Sequence, residues 1–114
     1  MTILHNTLKA DVHLVKLNGP LNSSQTEEVK QIFTDAYKTG AKHLIVNLED
    51  VPFMDSSGLV ALVAGLKIFD SNAKIFRLVA PQTQPKLLFE LTGFDNIFQI
   101  FDSVTEAVVS PSVV

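Results

Sequence analysis

The sequence predicts one α/β domain, with a mixed, mostly parallel sheet, about four packed helices and the element order ββαβαβαβα. Three observations predict this class. Short β-prone runs alternate with helical segments along the whole chain. The run at residues 44–48 is apolar without polar alternation, which is typical of a strand covered on both faces. The 114 residues, 46% of them hydrophobic, suffice for one core and are too few for two ordinary domains.

The first three elements follow from local patterns. Residues 3–8 and 12–17 are β-prone and predict a hairpin or adjacent strands, the second of which ends at Asn18-Gly19-Pro20. Ser24-Gln25-Thr26-Glu27 is a capping box and predicts a helix start. An apolar stripe carries this helix to about residue 39, where Gly40 can supply a left-handed turn. The stripe consists of Val29, Ile32, Phe33, Ala36 and Tyr37.

The middle of the chain continues the alternation. Residues 44–48 predict the central parallel strand, and a second helix runs from the segment Asp55-Ser56-Ser57-Gly58 to about residue 69. Residues 74–79 form the next strand. Gln84-Pro85 and Gly93 bound a third helix, because proline is tolerated in a first turn and glycine favours a helix end. Its apolar residues are Leu87, Leu88 and Leu91.

The chain closes with one strand and one helix. Residues 97–101 predict the strand, and Ser103-Val104-Thr105-Glu106 is a second capping box that opens a short helix. That helix carries Val104, Ala107 and Val108 inward. We therefore assign residues 1–109 to the domain and expect residues 110–114 to form a flexible tail.

Composition limits the possible functions. The net charge is −3 and the nine Lys and Arg residues are scattered, so no nucleic-acid footprint is visible. Without cysteine there is no disulfide or thiolate site, which fits a reducing compartment. The first six residues lack the pattern of a signal peptide, and the most apolar stretch, residues 59–66, is short for a bilayer span. We expect a cytoplasmic protein, monomeric or weakly dimeric, without membrane partner, metal or cofactor.

The second predicted helix has too many apolar residues for one stripe. A helix that is apolar all round must be covered, either by a partner protein or by another helix of the same domain. Both alternatives stay open at this point. The inward face is predicted to be Leu59, Leu62, Val63, Leu66 and Phe69, and the opposite face Val60, Ala61, Ala64, Gly65 and Ile68.

The candidate site lies where strands end and helices begin. In open α/β sheets, functional groups collect outside the carboxyl ends of the strands, which here points to residues 19–24 and 49–58. Ser56 and Ser57 stand at a predicted helix N-terminus, where free N–H groups favour an anion. The alternative is that one serine simply caps the helix while Asp55 favours the helix dipole.

Two segments resemble a known family. Leu44-Ile45-Val46-Asn47-Leu48, followed by Val51-Pro52-Phe53-Met54-Asp55-Ser56-Ser57-Gly58-Leu59, resembles the strand, loop and phosphorylatable serine of STAS domains in bacterial anti-sigma-factor antagonists. Leu91-Thr92-Gly93-Phe94-Asp95-Asn96-Ile97-Phe98 with Ile100-Phe101-Asp102-Ser103 resembles the closing helix, strand and helix of that family. The resemblance covers nearly the whole chain and implies the STAS fold.

The resemblance implies a switch without catalysis. The modified serine of the family follows an aspartate, which implies phosphorylation of Ser56 within a switch loop that also contains Asp55, Ser57 and Gly58. The expected partners are an anti-sigma factor with ATP-dependent serine kinase activity and a serine phosphatase. The unmodified domain would hold the anti-sigma factor and so free a sigma factor. We expect partner contacts at Asn22, Ser23, Val60, Ala61, Ala64 and Ile68.

One position departs from the family pattern. The family often has Gly-x-Leu-Asp before the first helix, whereas this chain has Gly19-Pro20-Leu21-Asn22. Asn22 keeps the hydrogen-bonding capacity and loses the charge. If the carboxylate serves kinase recognition or phosphoryl transfer, phosphorylation is slowed here, whereas Asn22 can equally be a turn residue.

Two other functions compete with this interpretation. STAS-like domains also serve as accessory subunits of ABC transporters, and the sequence does not separate that role from sigma-factor control. A serine hydrolase, the more distant alternative, needs a motif such as G-x-S-x-G, which is not present around Ser56. His5, His13 and His43 lack the spacing of a helical or zinc site and are interpreted as ordinary strand residues. No nucleotide-binding motif occurs.

Overall fold

The structure, a computed structural model, describes residues 1–9 and 11–111 and confirms the predicted order of strands and helices. A short 3-10 helix follows α3. The elements are β1 Thr2–Lys9, β2 Val12–Asn18, α1 Thr26–Lys38, β3 His43–Asp50, α2 Ser56–Asp70, β4 Ile75–Val79, α3 Thr83–Thr92, the 3-10 helix Phe94–Asn96, β5 Gln99–Phe101 and α4 Val104–Val109.

The five strands form one sheet in the order β1-β2-β3-β4-β5. β1 and β2 form the predicted antiparallel pair, and the remaining neighbours are parallel. The mixed, mostly parallel sheet is therefore confirmed. Because β2, β3 and β4 are parallel, the loops that leave them lie at the same edge of the sheet.

The two faces of the sheet bury apolar clusters of different size. The larger cluster joins alternate residues of β3, such as Leu44 and Val46, to α1, α2 and α3. The smaller cluster packs Ile45 and Val79 against Ala107 of α4. β3 is accordingly buried on both sides, as its uninterrupted apolar sequence predicts.

The predicted capping box of α1 is wrong. The helix begins at Thr26, and Gln25 stands at the N-cap position without a side-chain hydrogen bond to the helix. The reason is a turn just before it: Asn22 Oδ1 accepts a hydrogen bond from the Ser24 N–H at 3.0 Å. The chain is still turning at Ser24, so its side chain does not reach the first helical N–H groups.

The outward face predicted for α2 is partly wrong. Ala61 is fully buried, and Gly65 is buried because α1 and the sheet approach it closely. A Cβ on Gly65 would lie 2.6 Å from both Phe33 of α1 and Phe76 of β4. Ile68 is half-buried against the main core. Another helix of the same domain thus covers this side of α2, as one of the two alternatives proposed.

The residues that α3 buries are not all those of its predicted apolar set. Phe89 is buried, whereas Leu87 and Leu91 are 50% and 76% exposed. The predicted stop is confirmed, since Gly93 adopts a left-handed φ of 77°. β5 is shorter than predicted, because residues 94–96 form the 3-10 helix and pairing with β4 begins only at residue 99.

The last helix begins as predicted. Ser103 Oγ accepts a hydrogen bond from the Glu106 N–H at 3.2 Å. Beyond the helix, the carbonyl groups of Ser110 and Pro111 accept hydrogen bonds from the guanidinium of Arg77 at 2.8 and 3.0 Å. The remainder of the expected tail, residues 112–114, lies outside the described residues.

Candidate functional site

The two loops singled out in the sequence meet at one edge of the sheet. The Leu21 N–H donates to the Phe53 carbonyl at 2.9 Å, and the Asp55 N–H donates to the Leu21 carbonyl at 3.3 Å. Leu21 and Met54 form an isolated parallel bridge. Residues 49–58 are therefore held by the loop that follows β2.

Asp55 is the N-cap of α2. Its backbone is extended, and its Oδ1 accepts hydrogen bonds from the Ser57 N–H at 2.9 Å and the Gly58 N–H at 3.2 Å. A carboxylate at this position satisfies two free N–H groups and favours the positive end of the helix dipole. The alternative in which a serine caps the helix is wrong, and neither serine side chain is needed for that purpose.

The two serines differ in exposure. Ser56 is the first residue of α2 and is exposed, whereas Ser57 is half-buried. Gly58 is buried, and a Cβ there would lie 2.6 Å from the Leu21 carbonyl oxygen and from Met54 Cγ. Glycine at this position thus permits the loop after β2 to approach α2. Of the two serine hydroxyls in this segment, that of Ser56 is the more accessible.

Asn22 forms the turn that leads into α1. Its Oδ1 accepts from the Ser24 N–H, and its carbonyl accepts from the Gln25 N–H at 3.1 Å. The neighbouring Ser23 is exposed. An aspartate could accept the same bond from the Ser24 N–H, so Asn22 differs from the family residue in charge and not in this turn geometry.

An apolar stripe follows α2 on the side of the helix that carries Ser56. Val60 lies one helical turn after Ser56 and is 55% exposed. Together with Phe94 of the 3-10 helix, the continuing stripe lines a groove of about 320 Å³. We call this the α2 groove; its lining residues are Val60, Val63, Ala64, Lys67 and Phe94.

Only part of the α2 groove was predicted from the sequence. Val60 and Ala64 were predicted on the outward face. Val63, which was predicted inward, packs against the main core and also lines the groove, and Phe94 was named only as part of the closing segment. Helical spacing from Ser56 could have included Val63 and Lys67. Helical spacing could not have included Phe94, because this residue lies outside α2, in the 3-10 helix that follows α3.

Acidic residues near the site are partly neutralised. Lys16 Nζ lies 2.9 Å from Glu49 Oε1 and 3.2 Å from Asp50 Oδ2. Hydrogen bonds to Glu49 and then to Asp50 raise the pKa of Lys16. Asp55, which adjoins Ser56, has no such cationic partner among the described residues.

Comparison with known proteins identifies the family. The sequence model of the family described as "STAS domain" matches residues 6–107. The chain belongs to the STAS domain family. An anti-sigma-B factor antagonist of Staphylococcus aureus is 29% identical over 97 residues, which are 85% of this chain and 90% of the relative. This match confirms the resemblance read from the two sequence segments.

Solved STAS structures share the whole fold. A crystal structure of a Thermotoga maritima protein superposes with a TM-score of 0.86 at 28% identity, over 93% of this chain and 91% of the other. The unphosphorylated form of the anti-sigma factor antagonist SpoIIAA superposes with a TM-score of 0.80 at 19% identity, over 94% and 93% of the two chains. At that identity, the second likeness supports the fold alone.

The histidines of this STAS domain lie away from Ser56. His5 Nε2 and His13 Nδ1 are 2.9 Å apart, a contact that the antiparallel register creates and that sequence spacing did not suggest. Burial, and then the neighbouring His5, lower the pKa of His13. His43 begins β3, at the end of the strand opposite the switch loop, and burial lowers its pKa.

Residues 1–9 and 11–111 contain neither a metal-binding cluster nor a membrane-spanning helix. No group of three or more His, Cys, Asp or Glu side chains is arranged to hold a metal ion there. Within the same residues, no helix combines the length and the apolar character needed to cross a bilayer.

Proposed function

We propose that this chain is an anti-sigma-factor antagonist, a protein-binding module that is switched by phosphorylation of Ser56. The observation that carries the proposal is that the residue capping α2 and the exposed serine at its start are different residues. Asp55 caps the helix, while Ser56 is exposed one helical turn before Val60, which lines the α2 groove. A phosphate on Ser56 would therefore alter a contact surface without removing a cap from the fold.

The partner of the unmodified chain is an anti-sigma factor that also has serine kinase activity. The names of the relatives support an anti-sigma factor as the partner. When bound over the α2 groove, this partner is withheld from its sigma factor. The chain supplies the surface and the acceptor hydroxyl, the kinase supplies ATP, and a serine phosphatase returns Ser56 to the unmodified form.

Electrostatics explain how the modification ends the complex. A phosphate adds about −1.5 to −2 charges at pH 7. The N-terminus of α2 offsets part of that charge in the free chain. A partner that covers the α2 groove excludes water from Ser56, so the added charge loses its hydration and opposes binding.

The first test identifies the partner and the modified residue. We expect a pull-down with the unmodified chain to recover an anti-sigma factor kinase, which then phosphorylates Ser56 in the presence of ATP and magnesium. Ser57 should stay unmodified, because it is half-buried. Site mapping by mass spectrometry checks this. Phosphate on Ser57 alone, or a transporter ATPase as the main partner, would overturn the proposal.

Paired substitutions on α2 separate binding from folding. We expect Val60→Asp to change stability by less than about 1 kcal/mol, because Val60 is exposed, and to weaken partner binding by about tenfold or more. Leu62→Asp should cost about 3 to 5 kcal/mol, since it places an unpaired charge at a fully buried position. Thermal melting and titration calorimetry measure both effects. Equal destabilisation by the two variants would exclude the α2 groove as the interface.

A further inference from the structure

The side-chain amide of Gln84 pairs with the backbone of Met54, as a neighbouring strand would. From the first turn of α3, its Oε1 accepts a hydrogen bond from the Met54 N–H at 2.8 Å, and its Nε2 donates to the Met54 carbonyl at 2.9 Å. A primary amide carries a donor and an acceptor side by side, so Gln84 can satisfy both backbone groups of one residue.

Met54 is held from its other side as well. It forms the parallel bridge with Leu21, and its side chain is fully buried. The next residue is Asp55, whose N–H donates to the Leu21 carbonyl. The residue directly before the N-cap of α2 therefore lies between a backbone partner and the amide of Gln84.

We propose that Gln84 is the positioning residue for Ser56. It fixes Met54, hence the start of α2 and the place of the Ser56 hydroxyl relative to the α2 groove. The Asp55 carboxylate does not fix this position, because it bonds only N–H groups of its own helix. Phosphoryl transfer requires the accepting hydroxyl to be aligned with the phosphate, so small displacements reduce the rate. The part that concerns phosphorylation rests on the proposed function.

The first experiment uses the chain alone. In Gln84→Leu, the Met54 N–H and carbonyl lose their side-chain partner, and we expect amide hydrogen exchange at Met54 and Asp55 to become roughly tenfold faster. Exchange within β3 should not change. Gln84→Glu can still accept from the Met54 N–H but cannot donate to the Met54 carbonyl, so its exchange rates should lie between those of the wild type and Gln84→Leu.

The matched control is Gln82→Leu. Gln82 is the exposed N-cap residue of α3, and its Nε2 donates to the Glu49 carbonyl at 2.7 Å, near the end of β3. This variant loses a glutamine at the start of α3 and a hydrogen bond to the end of β3, yet it keeps both hydrogen bonds between Gln84 and the Met54 backbone. Its exchange at Met54 and Asp55 should match the wild type. Equal acceleration in both variants, or no acceleration in Gln84→Leu, would overturn the positioning role.

The second experiment uses the kinase recovered with the wild-type chain. We expect Gln84→Leu to lower kcat for Ser56 phosphorylation by roughly tenfold and to change KM less than about threefold, because the α2 groove is intact. Gln84→Glu should recover part of kcat. An unchanged kcat would contradict the inference. If the wild type is not phosphorylated at all, the proposed function fails, while hydrogen exchange still decides whether Gln84 positions the start of α2.

Discussion

Arg77→Leu should destabilise the protein by about 3 to 5 kcal/mol. Arg77 is the only arginine in the sequence and is fully buried in β4. Its guanidinium donates to the Ala107 carbonyl at 2.7 Å, to two further carbonyls just beyond α4, and to Gln99 Oε1 at 2.8 Å. The leucine variant removes the donor from all of these acceptors, among which the hydrogen bond to the Ala107 carbonyl is buried.

The position of these carbonyls increases the effect. They lie at and beyond the C-terminal end of α4, where unpaired carbonyl groups carry partial negative charge and favour a cation. The Arg77 guanidinium also lies 5.0 Å from the centroid of the Phe101 ring. Removing Arg77 thus removes the polar contacts between β4 and the end of the helix that covers the smaller apolar cluster.

Arg77→Lys is the matched control. It keeps a positive charge but lacks the planar fork that reaches several carbonyls at once, so we expect roughly half the loss. Urea unfolding of the wild type and both variants measures this difference. A loss below about 1 kcal/mol for Arg77→Leu would show that α4 does not depend on the guanidinium.

Much of the fold could be predicted because the strongest signals are local and periodic. The uninterrupted apolar run of β3 predicted burial on both faces, and Gly40 and Gly93 marked helix ends with positive φ. Arg77 was not predicted to matter. It was counted among scattered basic residues, because its partners lie about thirty positions later in the chain.

The position of the two loops could be predicted from the sequence, but the contacts within them could not. The loops were correctly located, because the ends of parallel strands fall at one edge of a sheet. The predicted role of Ser24 failed because the side chain of Asn22 formed a competing turn. Ala61 and Gly65 were misplaced because a helical wheel does not show from which side α1 approaches. The contribution of Gln84 depends on tertiary contacts that no local pattern encodes.

Ser56→Asp is expected to separate binding from stability most clearly. A carboxylate in the first turn of α2 is tolerated or favourable by about 0.3 to 1 kcal/mol, before repulsion from Asp55 is counted. Ser56 is exposed, so its replacement opens no cavity. Partner binding should nevertheless weaken by about tenfold or more, because the charge loses water when the α2 groove is covered.

Ser56→Ala provides the control for loss of the hydroxyl. It adds no charge, and Asp55 still caps the helix, so we expect partner affinity and melting temperature close to those of the wild type. A similar loss of binding in Ser56→Ala and Ser56→Asp would mean that the hydroxyl itself makes the contact, and charge would not be the switch.

Titration calorimetry of wild type, Ser56→Asp and Ser56→Ala with the recovered anti-sigma factor tests the central claim most directly, with melting curves of the same samples. The proposed switch predicts affinity reduced by about tenfold or more for Ser56→Asp alone, with all three chains melting within a few degrees of one another. Equal affinity of Ser56→Asp and wild type would rule out a charge switch at Ser56. A large drop in the melting temperature of Ser56→Asp would show that the substitution acts through folding.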